Sequence, residues 1–135
     1  MIGHVRLTDG SRQARFTLAL DLVAIAAFIL AGMNAHADDG AATVFLRNFI
    51  PFAGAWLVTA WLARTYRPPA SRSLLITLVV AIPCGVLLRS AWVRSWTAAD
   101  VVTFMAVALL FASIFVGIGR VIAATVGARL FDEGS

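Results

Sequence analysis

Four long apolar runs dominate the chain, at about 16–33, 44–63, 73–92 and 101–125. Between them lie the short polar stretches "NAHADDGAAT", "RTYRPPASR" and "VRSWTAAD". Each run is close to the roughly 20 residues that cross about 30 Å of hydrocarbon at 1.5 Å per residue. A sheet edge finds no hydrogen-bond partner in lipid, and four segments cannot close a barrel, so the runs predict α-helices. Short connections make successive helices antiparallel neighbours. The expected fold is all-α: a four-helix transmembrane bundle over residues 16–126, with tails at 1–15 and 127–135.

Composition agrees. The chain of 135 residues is 61% hydrophobic and 13% charged, where a soluble domain carries about 25% charged residues. All 11 basic residues are arginine, and the net charge is +4. They cluster in short segments between the apolar runs, which fits membrane orientation and gives no reason to invoke nucleic acid. With the N-terminus inside, the cytoplasmic side receives Arg6, Arg12, Arg15, Arg64, Arg67, Arg72 and Arg129. The outside receives Arg94, with Arg47 and Arg89 near outer helix ends, and an acidic first loop carrying Asp38 and Asp39. The expectation is a multi-pass plasma-membrane protein, N-in and C-in, without dual topology.

Other features refine this picture. Ala35-His36-Ala37 after an apolar run resembles a signal-peptide cleavage site, but the run exceeds the usual 7–15 residues and contains Asp21, so the first span is expected to be retained. Cys84 stands alone, which removes disulfides and cysteine-based metal sites. Thr97 and Asp100 offer caps for the fourth helix. Pro51 and Pro83 fall inside spans, where they are accepted with a kink. Trp56, Trp61, Trp92, Trp96 and Tyr66 read as interface markers.

The candidate chemistry begins with Asp21, a carboxylate inside the first span. Counted from Phe16, it lies about 7 Å below the inner interface. The fourth helix runs back inward, so Arg120 reaches a similar depth in the same leaflet. An unpaired charge there costs a few kcal/mol, which predicts an intramembrane Asp21–Arg120 pair joining the first and last helices. The competing reading has Arg120 snorkelling to the interface alone.

At the opposite side, His36, Asp38, Asp39, Arg47, Asn48 and Arg89 form an expected external polar patch. It is either a set of solvated surface groups or a receptor for an anion or a partner's acidic group. His36, Asp38 and Asp39 in one loop are too little to specify a metal, and no cofactor is expected. Ala81, Gly85 and Arg89 share an i, i+4, i+8 face, as do Gly119, Ala123 and Gly127, and small residues at such spacing allow close helix packing. Phe104, Phe111 and Phe115 form a stripe read as lipid-facing or core filler. Phosphate loops, HExxH, GxSxG and a spaced Ser-His-Asp set are absent from the sequence.

With Asp21, "FILAGMNAH" (28–36), "PFAGAW" (51–56), "RPP" (67–69), "GVLLR" (85–89) and "GR" (119–120) in order, the chain resembles the membrane-protein family catalogued as domain of unknown function 3054. The resemblance covers most of 16–122. The positions matching Asp21, Gly32, His36, Pro51, Phe52, Gly54, Gly85, Arg89 and Arg120 look characteristic of it, and Gly32 and Gly54 join Ala81, Gly85, Gly119 and Ala123 as expected packing residues. The chain departs from the pattern in having no Trp between Gly119 and Arg120 and no Trp and Thr in the third span. The resemblance implies a four-helix membrane fold and no established activity.

Three function classes follow. The first is a structural, accessory or oligomerising membrane component, working in the lipid bilayer with a second copy or a partner membrane protein. The second is a homo-oligomeric transporter or channel using Asp21 with Arg89 and Arg120. An enzyme with an external His36/Asp38 site has the least to build on.

Overall fold

Each apolar run forms one helix, and each helix extends beyond its run: α1 (Leu7–Met33), α2 (Ala41–Ala63), α3 (Ala70–Val93) and α4 (Ala98–Asp132). The computed structural model describes residues 7–33, 40–67, 70–94 and 97–132. All four helices contain a stretch long and apolar enough to cross a membrane. The helices run on into the expected tails, over 7–15 and 127–132. The physical reason is that an existing helix adds one hydrogen bond per residue, while arginine, glutamine and alanine carry little helix penalty. Polarity ends a span without ending a helix.

The helices form a closed ring in chain order, α2 packing against α3 and α1 against α4 most extensively. Pairwise contacts set their directions. Asp21 meets Tyr66 while Phe28 meets Phe52, so α1 and α2 are antiparallel. Thr65 meets Thr77 and Asn48 meets Arg89, which makes α2 and α3 antiparallel. Arg120 lies at the Asp21 level and Phe104 at the Arg89 level, which sets α4 antiparallel to α1 and α3. The helix lengths are unequal. The 27 residues of α1 and 35 of α4 span about 40 and 52 Å, whereas α2 and α3 reach only about 35 Å. At the end where the α2–α3 turn closes, α1 and α4 therefore continue outward.

The core is a column of Ala24, Ile25, Phe28, Phe52, Trp56, Ala81, Ile82, Val86, Ala108, Ala112 and Val116. Phe28 and Phe52 pack edge to face with ring centroids 5.8 Å apart, the geometry favoured by aromatic quadrupoles. In "PFAGAW", Pro51, Phe52, Ala53, Ala55 and Trp56 are buried and Gly54 is exposed. Pro51 and Pro83 both lie inside their helices. Trp61 and Trp92 are exposed, as interface markers are, but Trp56 is wholly buried, which corrects its reading as a marker. The difference is azimuth: Trp56 falls four residues after Phe52, on the same inward face.

The small residues divide. Ala81, Gly85, Gly119, Ala123 and Gly127 are buried. A Cβ on Gly85 would stand 2.7 Å from the Phe52 ring, so this glycine admits that ring directly against the α3 backbone. At Gly119 a Cβ would meet the Leu20 carbonyl oxygen at 3.6 Å, an ordinary contact. Gly32 and Gly54 are exposed, with nothing within 4 Å of a built Cβ, so they take no part in packing within the bundle. Their spacing matched a span but not its buried face.

Helix ends follow from local chemistry. The Thr97 hydroxyl accepts the Asp100 backbone N–H at 3.3 Å and itself bonds the Asp100 carboxylate, which caps α4 as expected. Arg64 ends α2 in the left-handed region at φ 55°. There the Arg64 and Thr65 N–H groups donate back to the Trp61 and Ala60 carbonyls, a Schellman closure. Arg94 ends α3 similarly, at φ 54°, donating to the Ser90 carbonyl. The turn at Arg64 aims the next two side chains back at the bundle.

Candidate functional site

Asp21 is fully buried on α1, five residues after Phe16. Arg120 on α4 donates from Nε to Oδ1 at 3.1 Å and from Nη2 to Oδ2 at 2.8 Å. A guanidinium fork matches a carboxylate in this two-bond arrangement, which is stronger and more directional than a single contact. Tyr66, delivered by the α2–α3 turn, donates its hydroxyl to Oδ2 at 2.7 Å. In turn, the Trp56 indole N–H donates to the Tyr66 oxygen at 3.0 Å. The Arg120 guanidinium also lies over the Tyr66 ring, 5.3 Å from its centroid, adding a cation–π attraction.

Asp21 and Arg120 thus sit together as their matching depths predict, and two aromatics expected at the interfaces, Tyr66 and Trp56, join them. The signal for Tyr66 was its depth: it follows the second span at the level where Asp21 enters the first. Trp56 carried a weaker signal, its shared face with Phe52. A neighbouring hydroxyl cluster had no sequence signal. Thr65 and Thr77, both fully buried, bond at 2.5 Å, and Thr77 donates to the Ser73 carbonyl at 2.8 Å. The Thr65 hydroxyl also reaches the Ser73 carbonyl, at 3.5 Å, so both threonines converge on one acceptor.

Electrostatically the clasp is closed. Every Asp21 oxygen has a donor, and the Arg120 side chain keeps only 18% exposure. Burial, followed by the adjacent Asp21 charge and the hydrogen bond to it, pushes the Tyr66 phenol well above its ordinary 10.0. The phenol therefore stays a neutral donor at physiological pH.

At the other end of the ring the structure brings together Arg89 and Asn48, with Arg47 the residue before Asn48 on α2. Arg89 Nε donates to Asn48 Oδ1, while Asn48 Nδ2 donates to the Val44 carbonyl at 2.7 Å. The Arg89 guanidinium lies 4.8 Å from the Phe104 ring centroid, so part of the phenylalanine stripe serves a cation. Phe111 is exposed and Phe115 half-buried. His36, Asp38 and Asp39, the remainder of the expected patch, lie outside the described residues. Among the described residues no three His, Cys, Asp or Glu side chains converge to hold a metal ion.

A ring of four membrane-length apolar helices, closed by one buried ion pair, defines a multi-pass membrane protein of the four-helix bundle class. Residues 18–123 match the family described as Protein of unknown function (DUF3054), and the chain belongs to that family. Neither the curated proteins nor the solved structures contain a match to it.

Proposed function

We propose that this protein is a structural or accessory component of the plasma membrane that acts through helix packing with a second copy or a partner membrane protein. The observation behind this is the state of Asp21. A carboxylate that couples ion or proton movement needs an open face, whereas both Asp21 oxygens are taken by Arg120 and Tyr66 inside the bundle. Gly54, exposed on α2 among lipid-facing apolar residues, leaves room for another helix to approach. Purified protein reconstituted in liposomes is expected to give no proton or ion flux beyond empty vesicles, with or without Asp21→Asn. A flux that Asp21→Asn abolishes in folded protein would overturn the assignment in favour of the transporter.

Orientation belongs to the same proposal. Arg12, Arg15, Arg64, Arg67, Arg72 and Arg129 lie at the end of the bundle where the α2–α3 turn closes; Arg94 lies at the other. Such asymmetry favours N-in and C-in insertion. In a Cys84→Ala background, Ala99→Cys should react with a membrane-impermeant maleimide on intact cells and Ser71→Cys should not. The reverse pattern would invert the orientation.

A further inference from the structure

We propose that Arg47 and Arg89, at the Arg94 end of the bundle, form a binding site for the phosphate of an anionic ligand. The site stands apart from the Asp21 clasp and does not depend on the accessory role above. Arg47 lies about 9 Å inward from the start of α2, and Arg89 about 6 Å inward from the end of α3, at helical rise. Both are half-buried, and Arg89 is bonded to Asn48, the residue that follows Arg47 on α2. Two like charges held together one to two turns inside a membrane protein require compensation. Among the described side chains none supplies it. Asp21 is committed to Arg120 at the far end, and Asp100 is exposed and bonded to Thr97. The Arg47 Nε is buried without a hydrogen-bond partner.

The pair is also oriented. Asn48, fixed by its own bond to the Val44 carbonyl, holds Arg89 through Nε, while the Phe104 face supports the guanidinium plane. This leaves the terminal nitrogens of Arg89 as donors, while Arg47, one residue before Asn48, has an unused N–H. Two planar forks suit the several oxygens of a phosphate. A lipid headgroup and a soluble phosphate entering from the water side would offer the same chemistry.

Two arms separate these sources. Wild-type protein in a neutral detergent is titrated with phosphatidylglycerol, with phosphatidylcholine as the uncharged-headgroup control, and adducts are counted by native mass spectrometry. In parallel, inorganic phosphate is titrated with the thermal midpoint as readout. Retention of phosphatidylglycerol over phosphatidylcholine assigns a headgroup; a midpoint raised by inorganic phosphate assigns a soluble anion. In either arm Arg47→Gln and Arg89→Gln should each weaken binding by about tenfold, the loss of one charge-assisted contact. Arg12→Gln with Arg15→Gln, at the opposite end, should leave it unchanged. Arg47 makes no side-chain bond within the described bundle, so its variant remains informative if Arg89→Gln fails to fold. Binding unaltered by Arg47→Gln, binding lost equally in the Arg12/Arg15 variant, or no binding of either probe would overturn the proposal. Binding gained only in Asp38→Asn with Asp39→Asn would show that the chain's own acids neutralise the pair, and would overturn it too.

Discussion

Arg120 grips Asp21 with two hydrogen bonds, of 3.1 and 2.8 Å, across 99 residues of chain. The contact closes the ring by joining the first helix to the last, and its acid is wholly buried. Removing one member strands the other charge in a low-dielectric setting, typically at about 3–5 kcal/mol. Asp21→Asn and Arg120→Gln are therefore each expected to lower stability by about that much in detergent unfolding. The double variant should lose less than the sum, since it leaves no orphaned charge. Strict additivity would show that the two side chains do not act as a pair.

Tyr66 is the only tyrosine in the chain, so phenolate absorbance reports it alone. Burial and the neighbouring Asp21 charge hold the folded phenol neutral beyond its ordinary 10.0. The unfolded chain releases that proton first, so stability is independent of this group below pH 10.0 and declines as pH rises above it. Phenolate absorbance should be missing from folded protein at the ordinary midpoint and appear together with loss of helix. Normal titration of the folded protein would place the phenol in water.

Two of the buried glycines, Gly85 and Gly119, should differ sharply. Gly85→Ala drives a methyl to 2.7 Å from the ring of Phe52, itself locked against Phe28, and overpacking of this kind costs about 1–3 kcal/mol. Gly119→Ala meets only ordinary contact distances and should stay within about 0.5 kcal/mol of the parent. Thermal unfolding of both variants in one detergent decides it, and equal midpoints would contradict the Phe52–Gly85 approach.

Gly54→Ala should leave the bundle at least as stable as the parent. The added methyl meets nothing within 4 Å, and alanine gains about 0.5–1 kcal/mol over glycine inside a helix. A marked loss in monomeric protein would mean that α2 turns this face inward.

Trp56→Phe keeps a buried aromatic ring but gives up part of the indole volume and removes the donor to Tyr66. One neutral hydrogen bond is worth about 1 kcal/mol, and the Tyr66 bond to Asp21 should survive. A fall as large as that of Asp21→Asn would make the indole a principal member of the clasp.

The number of spans, their direction and the depth of Asp21 against Arg120 are legible along the chain, because hydrophobic length and helical rise are one-dimensional quantities that lipid enforces. The same counting located Arg47 and Arg89 near one end and most arginines near the other. What tertiary structure alone decided was azimuth and return. Gly32 and Gly54 look like Gly85 in a hydrophobic run, yet only Gly85 faces a ring, because the four runs are apolar nearly all round and carry no stripe to mark the inner side. Trp56 turned inward for the same reason. Tyr66 joined the acid only because a left-handed arginine at position 64 closes α2 and folds the following side chains back beneath the bundle. Lipid selects which segments insert, while contact between helices selects which of their faces meet.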